Sequence, residues 1–188
     1  MVDRAADPES FHRLVAILSR GGVAIVPCDT MYGIVGLAPE TDGKIRRIKG
    51  RGEDKPFLQL IGDSSWVARM SDMAVPAALS RHWPGPLTLV FPARGGGSVA
   101  LRYPDSPFLQ RLLDALGRPL YSTSVNRSGA PPLADIATMV KEFEKDVDLI
   151  YDAGRSSSGP PSTLIDITRR PFQVLRPGAI HVSPEELV

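Results

Sequence analysis

The chain has 188 residues, 43% of them hydrophobic, which is enough for one domain with its own buried core. Its formal charge of +1 excludes an overall field that would drive it onto nucleic acid or an acidic membrane, so any anion site has to be local. The single cysteine, Cys28, excludes an intrachain disulfide, and His12, His82 and His181 stand without metal-ligand spacing, which argues against a transition-metal centre.

In chain order, the N-terminal MVDRAADPES lacks the apolar core of a signal peptide, and no apolar run approaches membrane-spanning length; the chain reads as cytoplasmic, away from the membrane. Ser10 is expected to cap a helix carrying Phe11, Leu14, Val15 and Leu18 on one face, ended by Gly21-Gly22. Val23 to Val26 then reads as a short strand stopped by Pro27 and followed by the polar CDTMYG. Thr41 or Asp42 starts a second helix, with Ile45 and Ile48 on its apolar side. That helix delivers the chain to a cationic loop, KGRGEDKP, at Lys49 to Pro56. Glycines there allow close approach of backbone to a ligand, while Lys49, Arg51 and Lys55 offer charge to phosphate or carboxylate oxygens.

Phe57 to Ile61 reads as the next strand, then a helix capped at Asp63 or Ser64 with Trp66, Val67 and Met70, and a short one over Ala77 to Arg81. The turn HWPGP leads into a strand at Leu87 to Phe91, and ARGGGS connects it to another at Val99 to Arg102. Pro107 opens a helix bearing Phe108, Leu109, Leu112, Leu113 and Leu116, closed by Gly117. Leu120 to Ser124 resumes strand character before the loop NRSGAPP, and a helix from Ile136 to Phe143 precedes a strand at Leu149 to Tyr151. After DAGRSSSGPP, Ser162 to Ile167 and Gln173 to Arg176 are expected as two final strands joined by TRRP. Strands and helices mix without strict alternation, which predicts an α/β fold whose sheet is partly mixed in direction and flanked by helices.

No Gly-x-x-x-x-Gly-Lys-Ser/Thr loop is present, which removes a Walker-type nucleotide site. Cys28 has no histidine placed locally to activate it and reads as a small residue behind a strand end; Asp29, Asp54 and Asp152 are loop carboxylates that fit either an acid–base or a purely structural role. What remains is suited to anions: Lys49, Arg51 and Lys55, then Arg102, then Ser122, Ser124 and Asn126, then Arg176. Arg102, Ser122, Ser124 and Arg176 fall at strand ends, so one sheet edge is expected to gather them. Each alone fits a surface ion pair or a turn; together they resemble the lining of a polyphosphate pocket.

Seven segments in order, PCDTMYG, KGRGEDKP, WPGPLTLVF, VALRYPDSP, STSVNRSGAPP, PSTLID and VLRPGAI, resemble the YrdC family of threonylcarbamoyl-AMP synthases across nearly the whole chain. The K-x-R and S-x-N pair is that family's hallmark. The resemblance implies a single YrdC-like domain over 1–188, a twisted α/β sheet with a large positively charged cavity, and condensation of L-threonine, bicarbonate and ATP to threonylcarbamoyl-adenylate and pyrophosphate. It implies Lys49 and Arg51 as catalytic, and Arg51, Lys55, Ser98, Ser124, Asn126 and Arg176 on ATP, with Lys49 and Asn126 in the same cavity. Thr30, Arg102, Ser122 and Ser162 would hold threonine. Mg²⁺ would arrive on the ATP phosphates without protein ligands, and a separate transferase would pass the product to tRNA. The chain departs from the family pattern at Cys28-Asp29, where Thr-Glu is common, and at Ser106 and Leu60, where some members have His. Two alternatives fit the same residues: a YrdC-like paralogue making another carbamoyl-adenylate, and a non-catalytic RNA-binding module.

Overall fold

The computed structural model describes residues 1–52, 56–154 and 159–188. Its strands are β1 (Val2–Arg4), β2 (Val23–Val26), β3 (Gly33–Leu37), β4 (Leu58–Leu60), β5 (Leu87–Pro92), β6 (Ser98–Arg102), β7 (Leu120–Ser124), β8 (Leu149–Asp152), β9 (Thr163–Asp166) and β10 (Gln173–Arg176). The helices are α1 (Ser10–Ser19), α2 (Asp42–Lys49), α3 (Val67–Met70), α4 (Ala77–Ser80), α5 (Pro107–Leu116) and α6 (Ile136–Phe143). All ten strands form one sheet in the order β1-β8-β2-β3-β7-β4-β6-β5-β9-β10. The β1/β8, β2/β8, β4/β6 and β5/β9 pairs are parallel and the rest antiparallel, so the mixed α/β sheet expected from the sequence is the one observed.

Side chains alternate across a sheet, and this chain uses the alternation to build two different halves. In the half containing β2, β3 and β8 both faces are covered. Ala24, Val26, Val35 and Leu37 pack into a cluster with Leu14 and Leu18 of α1 and Leu109, Leu112 and Leu113 of α5. Val23, Ile25, Ile34 and Ile150 pack on the other side with Ile45 and Ile48 of α2 and Met139 and Phe143 of α6. In the half containing β6, β5 and β9, Leu87, Leu89, Phe91, Leu101 and Ile165 are buried with Trp66 and Leu79. Their alternates, Thr88, Val90, Ala100, Arg102, Leu164 and Asp166, lie on the opposite face and border an open hollow.

Several local expectations need correction. Ser10 is not the cap of α1 but its first residue; the turn before it is held by Asp7, whose carboxylate accepts from the Glu9 N–H at 3.0 Å. Helix α2 does start at Asp42 after Thr41, as expected, and the Thr41 hydroxyl donates to the Leu37 carbonyl at 2.9 Å. The helix expected after Asp63 begins as a 3-10 turn, Ser64–Trp66, with Asp63 accepting from the Ser65 N–H, and continues as α3. Strand β3 was not evident in the sequence because Gly33 and Gly36 weaken its β-propensity. Both glycines answer to crowding. A Cβ at Gly36 would lie 2.4 Å from the Thr41 hydroxyl oxygen, and one at Gly33 would press on Cys28 Sγ and Ser122 Oγ. Also absent from the sequence reading are β1, paired with β8, and a closing 3-10 turn at Pro184–Leu187.

Candidate active site

The open half of the sheet is floored by a continuous row. Register pairs Ser122 with Leu58, Leu58 with Ala100, Ala100 with Val90 and Val90 with Asp166, so these five side chains share one face across five strands. Above them is a cavity of about 770 Å³, within the size range of small-molecule sites. Arg51, Ser98, Ser124 and Arg176 line it, as do Thr30, Arg102, Ser122 and Ser162. The expectation that one sheet edge gathers Arg102, Ser122, Ser124 and Arg176 is therefore corrected. They meet on a sheet face left bare by the helices.

At one end of the cavity Arg102 is held by burial and charge. Its guanidinium pairs with the Asp29 carboxylate, and both side chains are only 6% exposed. Asp29 Oδ2 and Arg102 Nε are buried without a hydrogen-bond partner among the described residues. Burial pulls the arginine down to about 10, with Arg176 adding to the effect, so it remains charged at neutral pH. Ser162 lies on the same floor. Its hydroxyl is 2.7 Å from the Thr88 hydroxyl, and its carbonyl accepts from Arg176 Nη2 at 2.8 Å. That approach depends on Gly178, where a Cβ would fall 2.3 Å from the Pro161 carbonyl oxygen. Cys28 borders the same end; burial pushes its thiol up while Arg102 and Ser122 pull the other way, consistent with a packed thiol rather than a nucleophile.

The two hallmark motifs meet, but not as expected. Lys49, the last residue of α2, is 3% exposed and does not line the cavity, and neither does Asn126. The Lys49 ammonium donates to Ser124 O at 2.6 Å, Asn126 O at 2.8 Å and Asn126 Oδ1 at 2.7 Å. All three of its protons are matched by oxygens. Ser124 Oγ donates to the same Asn126 Oδ1 at 2.6 Å, and Asn126 Nδ2 donates to the Ala130 carbonyl. Lys49 and Asn126 thus form a buried tie beneath the wall. Arg51 stands above it, its guanidinium 4.8 Å from the centre of the Phe57 ring and bonded to the Pro56 carbonyl at 3.0 Å.

Lys55 and Asp54 lie outside the described residues. Of the other loop carboxylates, Asp152 accepts from the Gly154 N–H, a turn contact, and Asp29 pairs with Arg102. Ser106, at a position of departure from the family pattern, caps α5 by accepting from the Leu109 N–H, and Leu60 is 1% exposed in the core. Sequence reasoning missed Thr88 and Asp166 as cavity residues. The signal was available: on β9 an alternating count from Ser162 reaches Leu164 and Asp166, and on β5 the polar Thr88 interrupts an apolar run.

The profile of the Sua5/YciO/YrdC family, described as telomere recombination, matches residues 16–178. A threonylcarbamoyl-AMP synthase of Bacillus subtilis is 30% identical over 200 residues, covering 97% of this chain and 57% of that protein. The crystal structure of Pyrococcus abyssi Sua5 complexed with L-threonine superposes with a TM-score of 0.84 at 27% identity, over 95% of this chain and 57% of the other. That of Escherichia coli YciO superposes with a TM-score of 0.83 at 26% identity, over 98% and 97%. The chain spans a little more than half the length of the Bacillus and Pyrococcus proteins.

Proposed function

Because the chain belongs to the Sua5/YciO/YrdC family, we propose that it is an L-threonylcarbamoyladenylate synthase, an adenylyl-transferring enzyme using L-threonine, bicarbonate and ATP. The observation that carries the reading is the buried guanidinium of Arg102, opening on a cavity it shares with Arg51 and Arg176. One cavity then offers a fork for an amino-acid carboxylate and separate cations for phosphates.

The threonine carboxylate takes a place on Arg102, and the side-chain hydroxyl bonds with the Thr30, Ser122 and Ser162 hydroxyls. A pocket lined by such groups rejects valine, which would leave them unpaired. The threonine amine, having shed a proton, forms a C–N bond to the carbon of bicarbonate as water leaves, giving a carbamate. A carbamate oxygen then attacks the α-phosphorus of ATP, the bond from that phosphorus to the α,β-bridging oxygen breaks, and pyrophosphate carries away the electron pair. Negative charge builds on the phosphoryl oxygens, to be stabilised without a covalent intermediate by Arg51, Ser98 and Arg176 and by Ser124 once its hydroxyl turns from Asn126 Oδ1. Lys55 belongs to the same charge set by its place in the cationic loop. Lys49 and Asn126 fix the wall from which Ser124 acts. Mg²⁺ carried on the ATP phosphates would neutralise part of their charge. The product is a reactive mixed anhydride, which calls for a transferase that moves the threonylcarbamoyl group to tRNA.

The test is pyrophosphate release by the purified chain with each substrate omitted in turn. Release is expected only when ATP, bicarbonate and L-threonine are all present. Release with carbamoyl phosphate in place of bicarbonate and threonine would favour the paralogue making another carbamoyl-adenylate. No turnover, together with RNA binding that falls steeply with salt, would favour the RNA-binding module. Among the described residues no helix is long and apolar enough to cross a membrane, so the assay needs no lipid.

A further inference from the structure

Among the described residues that line the cavity, Asp166 is the only acid, and it stands in a site otherwise furnished with arginines and hydroxyls. It is 9% exposed at the end of β9. One carboxylate oxygen, Oδ1, accepts from the Thr168 N–H at 2.8 Å, which fixes the group's orientation; Oδ2 has no bonding partner among the described residues. Its neighbours that line the cavity are apolar, and Gln173, its register partner on β10, is exposed outside that lining. Val90 is its register partner on β5, Leu164 lies two residues back on β9, and Leu175 lines the cavity from β10.

The two ends of β9 therefore differ in charge. At the Ser162 end, Arg176 Nη2 bonds to the Ser162 carbonyl; at the other, Asp166 sits among Val90 and Leu164, about 13 Å farther along the strand. A triphosphate facing Asp166 would meet a like charge at close range, so the part of a nucleotide at this end has to be uncharged. A nucleoside fits both properties of the place. Its base has flat apolar faces for Val90, Leu164 and Leu175, and its ribose has hydroxyl donors for a carboxylate that only accepts.

We propose that Asp166 selects the ribonucleotide, its Oδ2 accepting from the ribose hydroxyls while the phosphates lie with the cavity's arginines. This rests on the nucleotide reading of the cavity given above.

The experiment is calorimetric titration of ATP, 2′-deoxy-ATP, 3′-deoxy-ATP and the triphosphate of purine riboside, which lacks the exocyclic amine, onto the native chain and Asp166→Asn. Asparagine retains an oxygen for the Thr168 N–H, so the turn survives. The native chain is expected to bind ATP about 10- to 100-fold more tightly than at least one of the deoxy analogues, the range for a hydrogen bond to a charged group. Asp166→Asn should lose most of that preference while its affinity for L-threonine is unchanged. Retained discrimination in Asp166→Asn overturns the proposal. So does a preference that follows the exocyclic amine instead of the sugar, or a loss that extra Mg²⁺ restores, which would make Asp166 a metal ligand. Because binding is read without turnover, ATP that binds with this preference but gives no pyrophosphate defeats the synthase reading and leaves Asp166 in its role. A native chain that binds no nucleotide defeats both.

Discussion

Arg102→Ala is expected to cost about 3–5 kcal/mol of folding stability, because it strands the Asp29 carboxylate in the interior without its counter-charge. Urea denaturation measures this directly. Asp29→Asn combined with Arg102→Met removes both charges and fills much of the space, so the double variant should recover a large part of the loss. Activity should separate from stability. Neither variant offers a guanidinium to the threonine carboxylate, and both should require about 10- to 100-fold more threonine for half-maximal rate, with the ATP requirement changing much less. An Arg102→Ala chain as stable as the native one would show that the pair with Asp29 is not buried as described. A double variant with native threonine dependence would remove Arg102 from the amino-acid end.

The second large effect belongs to Lys49. Lys49→Ala leaves Ser124 O, Asn126 O and Asn126 Oδ1 without the donor that holds them together. The expected losses are about 2–4 kcal/mol in stability and at least about 100-fold in adenylate formation at saturating substrates, since Ser124 and its loop lose their anchor. Lys49→Met, which keeps the length of the stem, separates packing from hydrogen bonding and should lose nearly as much activity with a smaller loss of stability. The pH dependence has a definite sign. Burial, helped by Arg51, pulls Lys49 down to about 8, below its unfolded value near 10.4. Below pH 8 both states hold the proton, and the cost of burying the charge is fully present. Between about 8 and 10.4 the unfolded chain holds more protons than the folded one, so this group makes the fold more stable as pH rises through that window. The same denaturation series with Lys49→Met should lack the increment; an identical pH profile in the two proteins would contradict the burial of the ammonium.

The role of Lys49 shows what the sequence revealed and what it withheld. The K-x-R and S-x-N segments are legible as one set because both suit anions and the family resemblance pairs them, and the structure joins them through three hydrogen bonds. Which side of the wall each residue occupies is not legible, because α2 ends at Lys49 and the left-handed Gly50 turns the chain before Arg51. Arg51 therefore reaches the cavity while Lys49, two positions earlier, goes beneath it. The strands with apolar alternation, such as β5 and β9, were legible by period, as was α5 from its leucines, its N1 proline and the Ser106 cap. Strand β3 was hidden by glycines that exist to let Cys28, Ser122 and Thr41 approach it. The Arg102–Asp29 pair was hidden for another reason: its partners are 73 residues apart, and nothing local to either announces the other. A long-range charge pair becomes visible only when the fold brings the turn after β2 to Arg102 at the cavity, with three strands between β2 and β6.

The central claim is that one hollow on one sheet face takes both an amino acid and a nucleotide. A crystal structure of the chain with L-threonine and a non-hydrolysable ATP analogue tests it most directly. The threonine carboxylate should lie on Arg102, and the phosphates should lie among the cavity's arginines and hydroxyls, away from Asp166. Either ligand found outside this cavity, for instance in the separate hollow bordered by Trp83 and Tyr103, would contradict the account.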